Sequence, residues 1–121
     1  MNRKIKFRAW FERTELMIPD VPVWKNMHYH ISDNPIMGYD FSECMLMQYT
    51  GLKDKNGVEI YEGDIAEHAN TSENCVIEFE ESTAMFLARE TSGEKLGFGV
   101  EESIKVIGNI YENPELLNQN Q

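Results

Sequence analysis

The sequence predicts a mainly β protein: an N-terminal hairpin, a small SH3-like β-barrel and a short C-terminal helical turn. Three observations carry this. Apolar residues recur with period two in short runs, the spacing of half-buried strands. Turn formers separate the runs, Asn56-Gly57 and Glu62-Gly63-Asp64 among them. A helix start is signalled late, at Asn113-Pro114. A low-twist open sheet is the alternative to the barrel. Residues 1–56 are expected to hold the hairpin and an irregular β region, and residues 57–117 the barrel. Residues 118–121 form a polar, disordered tail, and the rest packs as one compact unit.

In chain order, Ile5, Phe7, Ala9 and Phe11 share one side of the first strand. Lys4, Lys6, Arg8 and Trp10 share the other. Glu12-Arg13-Thr14 turns the chain, and Glu15–Ile18 returns beside it. Pro19, Pro22 and Pro35 discourage long elements over residues 19–44, apart from an extended piece around Trp24–Ile31. Met45–Thr50 is strand-like, and Asn56-Gly57 turns tightly because both residues tolerate positive φ. Ile60-Tyr61 leads into the Glu62-Gly63-Asp64 bend, and Ile65–His68 begins a strand. After the polar turn Asn70–Asn74, Cys75–Glu80 and Ala84–Ala88 form adjacent antiparallel strands. Thr91–Gly99, with three glycines, reads as loop, and Ile104–Ile110 as strand. Asn113 caps a helical turn whose first residue is Pro114, and Leu116 and Leu117 dock it on the barrel.

A chain of 121 residues suits one core, since a domain this size buries roughly 65% of its unfolded surface. Charges interrupt every stretch that a membrane span or a signal peptide would need. A cytoplasmic location follows as the expectation, with no membrane contact. Cys44 and Cys75 are expected as free thiols, Cys75 within a strand core. The net charge of −10 is uneven. Residues 1–30 hold six Lys/Arg against three Asp/Glu, and residues 31–121 hold five against eighteen. An acidic body repels duplex phosphate, so a DNA-coating role is disfavoured.

Four segments, taken in order, carry a resemblance. They are Lys6-Phe7-Arg8-Ala9-Trp10, Gln48 to Gly57, Glu59 to Ile65, and Val106 to Leu117. Together they resemble the YopX family of phage and prophage proteins. The resemblance implies a mainly β fold and a phage origin, mostly from low-GC Gram-positive hosts. It supplies no catalytic residues. Within these segments Gly51, Gly57, Gly63 and Gly108 stand where turns or close approaches need glycine. Tyr49, Ile60, Tyr61, Ile65, Ile107, Ile110 and Tyr111 read as core or half-buried positions.

Four groups of residues are candidates for chemistry. His28 and His30 share a strand face and could bind one metal with His68 or Asp33; surface histidines are the plainer reading. Glu62 and Asp64 could divide acid and base roles, but no nucleophile or oriented partner accompanies them. Gly93, Gly97 and Gly99 lack the Gly-Lys-Ser/Thr ending of a phosphate loop. Lys4, Lys6, Arg8 and Trp10 form a basic and aromatic group fit to contact a partner or single-stranded nucleic acid. No cofactor is expected, and no enzymatic activity. The leading expectation is a non-enzymatic accessory protein that binds a host or phage protein. A single-stranded nucleic-acid module and an acidic DNA-mimic decoy are the alternatives. Self-association through the basic first strand is also expected, +3 against −13, giving a homo-oligomer.

Overall fold

Alternating apolar runs become antiparallel strands in the computed structural model, which describes residues 5–19, 44–97, 99 and 101–118. Nine strands lie among these residues: β1 (Phe7–Phe11), β2 (Leu16–Ile18), β3 (Cys44–Lys53), β4 (Glu59–Tyr61), β5 (Asp64–His68), β6 (Asn74–Glu80), β7 (Met85–Glu90), β8 (Lys95–Gly97) and β9 (Ile104–Asn109). They form two sheets, one built around β3 and one of five strands. Short 3-10 turns cover Glu101–Ser103 and Pro114–Asn118. The extended piece expected at Trp24–Ile31 lies outside the described residues. The chain divides into two units, residues 1–48 and 49–121.

In the first unit β1 is the middle strand. It pairs antiparallel with β2, Ala9 opposite Ile18 and Phe11 opposite Leu16, so the N-terminal hairpin forms as expected. On its other side it pairs with the first half of β3, from Phe7–Gln48 to Phe11–Cys44. Ala9, Phe11 and Ile18 share one face and are buried.

In the second unit the latter half of β3 pairs with β4, with an irregularity between Tyr49 and Lys53. The five-stranded sheet runs β8-β7-β6-β5-β9. Cross-strand partners share a face, so one inward row reads Val106, Ala66, Cys75, Glu90. The next reads Ile77, Ala88, Leu96. Ile60, Ala66, Cys75, Ile77, Ala88 and Ile104 make the core, with Leu52, Leu96 and Val106 packed on it. Each of the fully buried isoleucines contributes about 2–3 kcal/mol by leaving water.

Three expectations need correction. The closed SH3-like barrel is not formed by this ladder: among the described residues β8 and β9 are its margins, and no strand pairing joins them. Closure depends on non-local pairing that strand count does not encode. Second, Thr91–Gly99 is not all loop. Glu90 donates its N–H to the Glu94 carbonyl at 2.8 Å and Gly93 donates to Glu90, a tight turn that brings Lys95–Gly97 back onto β7. Third, Asn113 does not cap forward. Its Oδ1 accepts from the Asn109 N–H at 3.2 Å, behind the turn that Pro114 begins.

The β1–β2 and β6–β7 hairpins use the same four-residue loop. Glu15 and Ala84 close them at φ 51° and 55°, and each donates its N–H to the carbonyl three residues back. A Cβ in this left-handed region is strained, and glycine relieves the strain. Ala84→Gly is expected to raise stability by about 0.5–1 kcal/mol, read as a higher urea midpoint at unchanged slope.

Candidate functional site

The basic group read from the first strand is only partly open. Lys4 lies outside the described residues. Lys6 and Arg8 are half-buried, and Trp10 is 6% exposed. A stacking platform needs an accessible ring face. The covered indole therefore weakens the nucleic-acid reading of this strand and leaves any contact to the two cations. His28, His30 and Asp33 lie outside the described residues. Among those described, no three of His, Cys, Asp and Glu are placed to hold a metal ion. No described helix is long and apolar enough to cross a membrane.

Glu62 and Asp64 do not form a matched pair. Asp64 is 1% exposed, and its Oδ2 accepts from the Tyr61 N–H at 2.7 Å. Gly63, at φ 87°, carries the chain through the bend, donating to the Ile77 carbonyl and accepting from Ile110. Asp64 thus locks a turn, while Glu62 remains half-buried.

Cys44 and Cys75 form no disulfide, and Cys75 is fully buried. Burial, and then the charge of Glu90, push the Cys75 thiol up to about 11. It is therefore a thiol at neutral pH, donating to the Ala66 carbonyl, and not a nucleophile.

Two polar centres escaped the sequence reading. One joins His68, Thr71 and Glu90. The Thr71 hydroxyl donates to Glu90 Oε2 at 2.8 Å, and His68 Nδ1 lies 3.3 Å from the same oxygen. Glu90 is 2% exposed and its Oε1 has no hydrogen-bond partner. The parity that put Ala66 and Ala88 inward also points His68 and Glu90 inward, two residues further on. The cluster clamps the β5–β6 and β7–β8 turns. Its Glu90 shares a face with the Cys75 thiol, which stays protonated.

The other centre is Asp54, in the β3–β4 turn. Oδ1 accepts from the N–H groups of Asn56 at 2.8 Å and Val58 at 2.9 Å, and Oδ2 from Val106 at 2.8 Å. Lys55 adds an N–H to the Ile104 carbonyl at 3.2 Å. The turn is thereby pinned to β9. Beside it opens a cleft of about 630 Å³, lined by Tyr49, Leu52, Lys53, Lys55, Glu101 and Glu102 among others.

At the end of the β6–β7 ribbon, Phe79 faces Phe86 edge-on, ring centroids 5.2 Å apart. Phe79 is 40% exposed and Met85 55%. Alternation places Phe79 inward with Cys75 and Ile77, yet the ribbon outruns the core and leaves the ring in water.

A family model described as YopX protein matches residues 6–118. The chain is also similar to a solved structure, the crystal structure of protein EF1440 from Enterococcus faecalis. Sequence identity is 29%, the TM-score is 0.69, and the match covers 96% of this chain and 99% of that one. No curated protein matches.

Proposed function

Because the chain belongs to the YopX family of phage and prophage proteins, we propose that it is a non-enzymatic accessory protein that binds a partner protein through the open end of the β6–β7 ribbon. The observation that supports this is the Phe79–Phe86 pair, Phe79 exposed and Phe86 half-buried, with exposed Met85 on the opposite face of the same ribbon end. Aromatic residues and methionine are enriched where proteins meet. The fold gains less from Phe79 and Phe86 than from Ile77 and Ala88, the next pair inward on the same face, which are 1% and 0% exposed. A partner that covers an exposed large apolar side chain recovers on the order of 1–2 kcal/mol for each. Charges frame the patch: Glu80 is paired with Lys95 at 2.6 Å, Glu78 with Arg89 at 3.0 Å, and Glu81 is exposed. The exposed Glu81 favours a basic residue beside the partner's apolar contact.

The test compares the tagged wild type with the Phe79→Ser/Met85→Ser variant in affinity capture from infected or lysogenic cells. Both side chains are substantially exposed, so the variant is expected to stay folded and lose about 1 kcal/mol or less. The partner captured by the wild type is expected to disappear. Capture of the same proteins by both forms, or no specific capture by the wild type across a range of salt, overturns the reading.

A further inference from the structure

The cleft beside the Asp54 turn presents opposite charges from separate elements. Lys53 and Lys55 come from the β3–β4 turn region, and Glu101 and Glu102 from the 3-10 turn before β9. They do not neutralise one another. Among the described residues, Lys53, Lys55 and Glu102 form no ion pair, and Glu101 accepts from the Gly99 N–H at 2.8 Å. Nor does Asp54 quench the lysines, since its carboxylate is occupied by three backbone N–H groups. The same bonds fix the β3–β4 turn against β9, so that wall is set before any ligand arrives. Preorganisation of this kind reduces the ordering cost of binding.

We infer that this cleft binds an extended peptide segment of a partner protein, one that carries an acidic and a basic side chain flanking an apolar residue. A polyanion such as nucleic acid would meet Glu101 and Glu102, and a polycation would meet Lys53 and Lys55. A segment with both signs satisfies both groups, and its apolar residue rests on Leu52, which is half-buried in the lining. At about 630 Å³ the space is ample for a few side chains. The site is separate from the Phe79 patch and stands without it.

The experiment is an amide NMR titration of the full chain with three blocked hexapeptides of equal length. One has an Asp-Leu-Leu-Lys centre, one carries acidic residues alone, and one basic residues alone. The mixed peptide is expected to shift the amides of Gly51, Leu52, Lys55 and Glu102, and the other two are not. Lys53→Glu/Lys55→Glu, exposed substitutions whose folding the same spectra report, should weaken the mixed peptide about tenfold. Phe79→Ser/Met85→Ser should bind it as the wild type does, which separates this site from the proposed partner surface. The inference is overturned if the mixed peptide shifts no cleft amide at millimolar concentration. It also fails if a single-sign peptide or a free zwitterionic amino acid shifts these amides equally, or if the double lysine variant binds undiminished.

Discussion

Asp54→Ala is expected to cost about 3 kcal/mol of stability, the larger share from backbone donors left without an acceptor. Alanine cannot accept from Asn56, Val58 or Val106, all of which now donate to this one carboxylate. The Val106 bond matters most for the fold, because it crosses 52 residues of sequence and ties a turn to a sheet margin. Losing it leaves the β3–β4 turn held to β9 by the Lys55 N–H to the Ile104 carbonyl. The backbone bonds of the turn itself, Gly57 N–H to the Asp54 carbonyl and Asp54 N–H to Val58, survive the substitution. The hairpin should therefore persist while its attachment weakens. Urea unfolding gives the first number, and amide exchange at Val106 gives the second. An unchanged midpoint with Val106 still protected would show that the carboxylate is dispensable.

The same residue sets an acid limb. Burial pushes the Asp54 carboxyl up. The N–H bonds from Val106, Val58 and Asn56, with the charge of Lys105, more than offset this and hold it below its ordinary 3.8. A carboxyl whose folded value is depressed contributes stability that is fully present above its unfolded value. That contribution is lost as pH falls through the folded value. Stability should thus decline below about pH 4. Asp54→Asn, which keeps one accepting oxygen and removes the titration, should lie lower at neutral pH and show a shallower acid decline.

Much of the fold could be read from local pattern. Cys75, read as lying within a strand core, is fully buried. Gly51, Gly57 and Gly63, marked as turn glycines, all take positive φ. What local pattern missed has a common cause, which is partners distant in sequence. Lys95–Gly97 is too short and too glycine-flanked to announce a strand, and it pairs because β7 offers an edge. Asp54, between two lysines in a turn, reads as a solvated acid until Val106 arrives from the far end of the unit. Phe79 obeys the alternation but outruns the core, so parity gives its face and not its burial. Glu90 was the more legible of the misses, because an acid two residues after Ala88 on an inward row already demands buried partners. The cleft charges could not have been brought together from sequence, as Lys55 and Glu102 line one cleft where Asp54 and Lys55 bond to β9.

Gly108→Ala is expected to destabilise the second unit by about 2 kcal/mol, through a contact rather than a dihedral. A Cβ at Gly108 would lie 2.5 Å from Asn113 Oδ1, 2.7 Å from its Cγ and 2.9 Å from its Cβ. Swinging the amide aside would relieve the first two contacts, at the loss of the Asn109 N–H bond to Oδ1. The third cannot be relieved that way, because a Cβ moves with the backbone. That backbone is held: Asn113 donates to the Asn109 carbonyl at 2.9 Å and accepts from Leu116 at 3.1 Å. Displacement would spread to the Pro114–Asn118 turn, which is anchored by the Asn74 side chain donating to the Leu116 carbonyl at 2.7 Å. A double-mutant cycle isolates the mechanism. Asn113→Ala removes Oδ1 and Cγ but keeps Cβ, so Gly108→Ala should cost about 1 kcal/mol less in that background. Additive losses would place the origin of the effect away from Asn113, and an unperturbed Gly108→Ala midpoint would show that the C-terminal turn yields freely.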